Sequence, residues 1–281
     1  MEEKMDRKIG FAASLVCAAG AAAVWPRLTV RQYTLKSRKV HVPFRFVLLS
    51  DLHRSRYGTR QRDLLLAVHR ARPDAVFLAG DMVPDTARPE NTRELLAGLR
   101  DCAPVFYVTG NHEQRCGRAD LARKWMRAYG VSVLAGRSVP LQKEGERISL
   151  CGIDDPDVDF YGRSAWLSQL EHCAADRRED VFTILLSHRP ELFPLYAARG
   201  FDLTVCGHAH GGQVRIPGLV NGLYAPNQGV LPRYAGGLYQ CGESAMVVSR
   251  GLDKNRLPRF CNPPECVAID VLPSSSGKEI P

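Results

Sequence analysis

The chain has 281 residues, 45% of them apolar and 24% charged, with a formal net charge of +8. This supports a sizeable core and excludes a disordered chain, while Lys and Arg are too dispersed, and too little interleaved with aromatics, to expect a nucleic-acid groove. Nine cysteines without C-x-x-C pairs or regular spacing argue against a disulfide scaffold and read mostly as small buried hydrophobes in a disulfide-poor setting.

The segment from Ile9 to Trp25 holds no charged residue and is followed by Pro26. At about 1.5 Å per residue it would extend about 26 Å, slightly short of a bilayer's apolar core of about 30 Å. Trp25 suits an interfacial anchor. An uncleaved membrane anchor is the favoured reading; a signal peptide cleaved near Ala21-Ala22-Ala23 and a soluble helix are the alternatives. Basic residues flank the segment on both sides, so the face of the membrane stays open. The expected organisation is an anchor or signal segment over 1–26, one folded domain over 27–273 and a flexible tail over 274–281.

Beyond the anchor, Leu28 to Leu35 alternates like a half-buried strand, and Phe44 to Ser50 is an apolar run suited to a buried one. Helical spacing follows over Thr59–Arg70, then a strand over Ala75–Ala79, a helix over Thr92–Leu99, a strand over Val105–Thr109 and a helix over Leu121–Ala128. The second half repeats the alternation: strands over Ile148–Gly152, Val181–Ser187 and Leu203–Gly207, with helices over Ser164–Ala175 and near Glu191–Arg199. Past residue 213 come short strands between Gly/Pro turns, at Gln213–Ile216, Leu238–Gln240, Ala245–Ser249 and Cys266–Val271. Alternating strands and helices imply a layered α/β fold with a largely parallel sheet; two facing sheets with helices outside would house both halves.

Five short blocks sit where these strands end: Asp51-Leu52-His53, Gly80-Asp81, Gly110-Asn111-His112-Glu113, Ser187-His188 and Gly207-His208-Ala209-His210-Gly211-Gly212. Loops after parallel strands gather on one sheet edge, so the blocks can converge. Asp51 and His53 can bend toward one ion, and Asp81 can offer one oxygen to each of two. Asn111 and His188 supply an amide oxygen and an imidazole, and the His208/His210 pair can send one ring to each ion. Mixed carboxylate, imidazole and amide donors suit a pair of divalent cations, and such pairs serve phosphoryl chemistry. The two cations would acidify a shared water and neutralise charge growing on the phosphate. His112 is placed to protonate a leaving oxygen, with Glu113 as the partner expected to hold its ring.

In this order the blocks resemble the calcineurin-like metallophosphoesterase superfamily, across residues 45–272. More narrowly, Gly152-Ile153-Asp154-Asp155-Pro156, Ser187-His188-Arg189-Pro190-Glu191, Gly222 to Gly229, Val248 to Leu252 and Asn262-Pro263-Pro264-Glu265 resemble its bacterial membrane-associated branch. The resemblance implies a four-layer α/β/β/α sandwich of two mixed sheets flanked by helices, with the anchor helix at its N-terminus. It implies two divalent ions (manganese, iron or zinc), one held by Asp51, His53, Asp81 and His210 and the other by Asp81, Asn111, His188 and His208, with His112 as the catalytic histidine. It also implies a phosphate-ester substrate, lipid-linked in relatives that act on lipid-linked sugar nucleotides. Ser55 departs from the glycine many relatives have there, without removing a ligand.

Arg233 and Arg250 are candidates for substrate contact, with structural salt bridging as the alternative role. His69 and His172 read as surface residues, and His41 sits in a basic connector. A catalytically silent, membrane-tethered metal-binding scaffold and a nuclease are the rival functions; intact His112 weighs against the first, and the missing groove against the second.

Overall fold

The computed structural model of the protein describes residues 27–85, 89–158, 164–254 and 259–274. In chain order the elements are β1 (Thr29–Ser37), β2 (Phe44–Leu49), α1 (Arg62–Ala71), β3 (Ala75–Ala79), α2 (Glu90–Leu99), β4 (Val105–Val108), α3 (Asn111–Arg115), α4 (Ala119–Ala128) and β5 (Ser132–Val133). Then follow β6 (Arg137–Lys143), β7 (Glu146–Gly152), α5 (Ser164–Ala175), β8 (Thr183–Leu186), α6 (Phe193–Ala197), β9 (Leu203–Cys206), β10 (Tyr224–Ala225), β11 (Gly229–Val230), β12 (Gly237–Cys241), β13 (Ser244–Val248) and β14 (Glu265–Pro273).

Two six-stranded mixed sheets form, in the orders β1-β14-β2-β3-β4-β5 and β12-β13-β9-β8-β7-β6, and β10-β11 makes a separate hairpin. Pairing is parallel through β2-β3-β4-β5 and through β7-β8-β9-β13, with antiparallel pairs at β14-β2, β12-β13 and β6-β7. The largely parallel sheet expected from strand-helix alternation is therefore split in two. Tight turns join the antiparallel pairs β6-β7 and β12-β13, whereas β14 reaches β2 from the far end of the described chain.

Continuous apolar runs form the inner strands because both of their faces are buried. Phe46, Leu48, Phe77 and Val108 of the first sheet meet Leu150, Ile184, Leu186, Val205 and Val247 of the second in the central core. The alternate residues Val47, Leu49, Val76, Leu78 and Tyr107 face the opposite way and pack under Leu64 and Val68 of α1, Leu95 and Leu99 of α2 and Met126 of α4. On the far side, Cys151, Leu185, Cys206 and Met246 lie under Trp166 and Leu170 of α5 and Phe193 and Tyr196 of α6. Two sheets flanked by helices on both outer faces result.

Several expectations need correcting. Gln213–Ile216 forms no strand; it makes only single bridges, Val214 with Phe260 and Ile216 with Val220. The helix expected near Glu191–Arg199 is a 3-10 turn over Pro190–Leu192 followed by the short α6. The N-terminal anchor lies outside the described residues, and among those described no helix is long and apolar enough to cross a membrane. The assignment of a single N-terminal anchor is accordingly withdrawn. The expected tail, apart from Ser274, also falls outside the described residues.

Phe77 is fully buried and stacks on Phe46 at a centroid distance of 5.0 Å in the core joining the two sheets. Phe77→Ala is expected to lower unfolding free energy by about 3–5 kcal/mol, measured as a lower urea midpoint with an unchanged slope.

Candidate metal centre

The ends of β2, β3, β4, β8 and β9 bring the five blocks to one edge shared by the two sheets. Main-chain bonds tie the loops together: Asp51 N–H donates to Gly80 O and His53 N–H to Asp81 O, both at 3.1 Å. Across the sheets, the His208 N–H reaches both carboxylate oxygens of Asp51, at 3.2 and 3.1 Å.

Among the described residues, side chains with ligand-capable atoms within 4.8 Å of one another form three groups: one is His53 with Asp85 and His112, and the other two are Asp51 with His53 and His210, and Asp81 with His188 and His208. Asp81 joins the latter two. Its Oδ2 lies 3.7 Å from His53 Nε2 and 3.3 Å from His188 Nε2, while its Oδ1 accepts the His112 N–H at 2.9 Å. Asn111 enters beside the last group, its Oδ1 3.2 Å from His188 Nε2. His188 Nδ1 lies 2.7 Å from the Ala79 carbonyl. A carbonyl only accepts, so Nδ1 carries a proton and Nε2 faces the cluster. All seven residues expected to hold ions thus meet in one pocket.

These residues fit divalent cations. Asp81 Oδ2 and both ring nitrogens of His53 are buried and have no hydrogen-bond partner, a costly arrangement unless something else occupies their lone pairs. Burial holds the His53, His208 and His210 imidazoles below their usual range, in the neutral form that ligates metal. Burial presses His188 the same way, but the Asp81 and Asp51 carboxylates outweigh it and raise it to about 10.

The backbone is bent to make this pocket. Asp51, His53, Asp81, His208 and His210 all have left-handed φ, between 45° and 68°. Such residues each cost about 1–3 kcal/mol and persist where surrounding structure enforces them. The neighbouring glycines leave the room required. A Cβ on Gly80 would stand 2.5 Å from His188 Nδ1, and one on Gly207 would stand 2.7 Å from Asp51 Oδ2.

His112 sits at the rim, its ring edge-on to His53 at a centroid distance of 4.8 Å. Its Nδ1 lies 2.9 Å from Asp85 Oδ1. The partner expected for this ring was Glu113, which is committed elsewhere: its carboxylate accepts the N–H groups of Asp81, Val83 and Gly110 at 2.9, 3.0 and 2.8 Å. Burial, with the Asp81 charge, raises Glu113 to about 8. Glu113 thus shapes the Asp81 loop, and Asp85 orients the histidine. Asp85, four residues beyond Asp81 in a loop without periodicity, carried no sequence signal except its nearness to Gly80-Asp81.

The two arginine candidates have other partners. Arg250 is buried and donates to Asn221 Oδ1 at 2.7 Å and to the Gly236 carbonyl at 3.2 Å, with Glu265 3.8 Å from its Nε. That is the structural role. Arg233 is exposed and lies over the Tyr234 ring at 5.3 Å. Ser55, the departure noted above, is buried and bonds Asp253 Oδ1 at 3.3 Å and the Lys254 N–H at 3.0 Å, tying this loop to the chain after β13. Asn91 carries no motif signal in the sequence; its side-chain amide donates to the His53 carbonyl at 2.7 Å and fixes that turn. His41, His69 and His172 are exposed.

The model of the calcineurin-like phosphoesterase family matches residues 44–212. The chain is 28% identical over 236 residues to Phosphodiesterase YaeI of Escherichia coli (strain K12), covering 82% of this chain and 83% of that one. It is 28% identical over 235 residues to the metallophosphoesterase YkuE of Bacillus subtilis (strain 168), covering 81% and 79%. Among solved structures, phosphopantetheinyl hydrolase PptH from Mycobacterium tuberculosis aligns with a TM-score of 0.51 at 15% identity, over 83% of this chain and 97% of that one. A likeness at that identity speaks for the fold alone. With the family model spanning more than half of the chain and the ligand-rich loops of both sheets meeting at one edge, this protein belongs to the calcineurin-like phosphoesterase family and is a metal-dependent phosphoester hydrolase.

Proposed function

We propose that the protein is a binuclear phosphohydrolase that cleaves a phosphodiester. Asp51, His53, Asp81 and His210 would hold one divalent ion, and Asp81, Asn111, His188 and His208 the other. The observation that supports this most is Asp81 Oδ2, buried, without a hydrogen bond and flanked by one imidazole from each group. Mixed nitrogen and oxygen donors accept manganese, iron or zinc. When bound, such a pair neutralises phosphoryl charge and lowers the pKa of the attacking water. The name of the E. coli relative, a phosphodiesterase, favours a diester over a monoester or pyrophosphate.

The chain's own groups supply the rest. Asp81 Oδ1 holds the His112 main chain, and Asp85 accepts from its Nδ1, so the imidazole cannot turn away from the cluster. Nε2 is then the atom from which a proton would pass to the leaving oxygen, while Asp85 holds the ring through Nδ1–H. General acid catalysis of this kind contributes about 10²–10⁴-fold.

A lipid-linked substrate has support in the segment after His210. Ile216, Leu219, Leu223, Tyr224, Val230 and Leu231 are all exposed, Leu219 at 79% and Val230 at 70%. Short main-chain bonds gather them: Ile216 with Val220, Leu223 with Leu231, and Tyr224 paired with Val230. Exposed apolar side chains gathered into such a rim support a binding surface. The hairpin β10-β11 that carries part of it also contacts His208 through Asn227. An acyl chain on the substrate would lie along the rim while its phosphate enters the cluster.

With manganese, the purified protein is expected to hydrolyse bis(p-nitrophenyl) phosphate. Asp81→Asn should abolish turnover and His112→Ala should lower kcat by about 10²–10⁴-fold; undiminished rates in both variants would overturn the mechanism. Replacing Leu219 and Leu231 together by serine should raise KM for an acylated phosphodiester while leaving the water-soluble ester unaffected. An equal change for the two substrates would remove the lipid reading.

A further inference from the structure

We infer that Asn227 and Arg189 form a positioning pair that fixes the tautomer and direction of the His208 imidazole, so that Nδ1 is the nitrogen it presents to the ion cluster. The inference rests on the binuclear reading above and goes beyond it to two residues that are not among the seven expected ligands.

Donor and acceptor chemistry carries the argument. A guanidinium can only donate. Arg189 Nη1 lies 2.6 Å from one end of the Asn227 side-chain amide, so that end is the carbonyl oxygen, the amide nitrogen being a donor too. The same oxygen lies 2.9 Å from His208 Nε2. An amide oxygen has no proton to give, so Nε2 carries the hydrogen and Nδ1 keeps its lone pair. In the competing arrangement Nε2 would accept from Arg189 Nη1, which is 3.4 Å away. That would set two lone pairs against each other across the shorter Asn227 contact. The shorter contact decides.

Both members of the pair are themselves held. Arg189, buried at 3% exposure, donates through Nε and Nη2 to the two oxygens of Asp155, with Asp157 at 3.1 Å and Glu191 at 3.4 Å completing its surround. Asp155 in turn is fixed by its N–H to Thr109 Oγ1 at 3.3 Å, on the loop that delivers Asn111. Asn227 stands in the turn between β10 and β11 with φ of 60°, a conformation that asparagine adopts more readily than most residues. A buried arginine with this many acidic neighbours is an inefficient way to gain stability alone. Orienting a ligand imidazole through its second nitrogen gives it a purpose, because outer partners of metal-bound histidines set tautomer and affinity.

The test uses the full protein labelled with nitrogen-15 histidine, and two variants. Asn227→Gly relieves the positive φ and deletes the amide, while Asn227→Asp keeps an oxygen able to accept from both Arg189 and His208. In the metal-free wild type the His208 resonances should report the Nε2–H tautomer. Asn227→Gly should lose that preference and bind one of two manganese ions about 10–100-fold more weakly by equilibrium dialysis. Its circular dichroism should be unchanged, and Asn227→Asp should restore both readings. An Nδ1–H tautomer in the wild type, or unaltered manganese affinity in Asn227→Gly, would overturn the inference. Because the tautomer is read without metal, a wild type that bound no divalent ion would sink the binuclear reading while the Nε2–H tautomer set by Asn227 could still be observed.

Discussion

Two carboxylates buried in one pocket are the constraint on which the site depends. Asp51 and Asp81 are both fully removed from water, and each would be expelled or neutralised without compensation. Asp51 is compensated by the His208 N–H, Asp81 by the His112 N–H, and both by surrounding imidazoles. One oxygen, Asp81 Oδ2, is left uncompensated by hydrogen bonding, and it lies where the two ligand groups meet. The pocket is preorganised for cations rather than merely tolerant of them.

That preorganisation is assembled from the whole fold. The two donor groups draw on loops from both sheets, so their spacing is set by the central core of Phe46, Phe77, Leu186 and Val205. Close-packed interiors transmit small displacements instead of absorbing them. Glu113 and Asn91 extend the same control to the main chain, by holding the Asp81 and His53 turns. Catalytic geometry and hydrophobic packing are here one property.

Strand-end placement makes most of the site legible in the amino-acid sequence. An apolar run that stops at Asp51, Asp81 or His188 signals both the strand and the loop that bears the ligand. The elements that stay hidden have no periodicity to expose them. β5 is only two residues long, and β6 carries Pro140, tolerable because the strand lies at the sheet edge. α3, five residues, is too short to show a repeat. Gln213–Ile216 alternates like a strand but faces Gly/Pro turns with no partner strand beside it, so tertiary context overrides the local pattern. The partners of His112 and Arg189 come from segments 27 and 34 positions away in sequence, a distance no local pattern spans. The apolar stretch that suggests a membrane anchor falls outside the described residues, and no helix among those described takes its place.

The order of strands in the first sheet bears on how the molecule is made. β14 inserts between β1 and β2, matched in parallel with β1 from Thr29↔Glu265 to Ser37↔Pro273 and antiparallel with β2. During synthesis β2 therefore waits with one edge unpaired until nearly the last described residue has left the ribosome. Val47 and Leu48 lack their partners Ala268 and Val267 in the interval, and unpaired edges of this kind invite association with other chains. Arrival of β14, rather than any earlier element, is what lets the first sheet close.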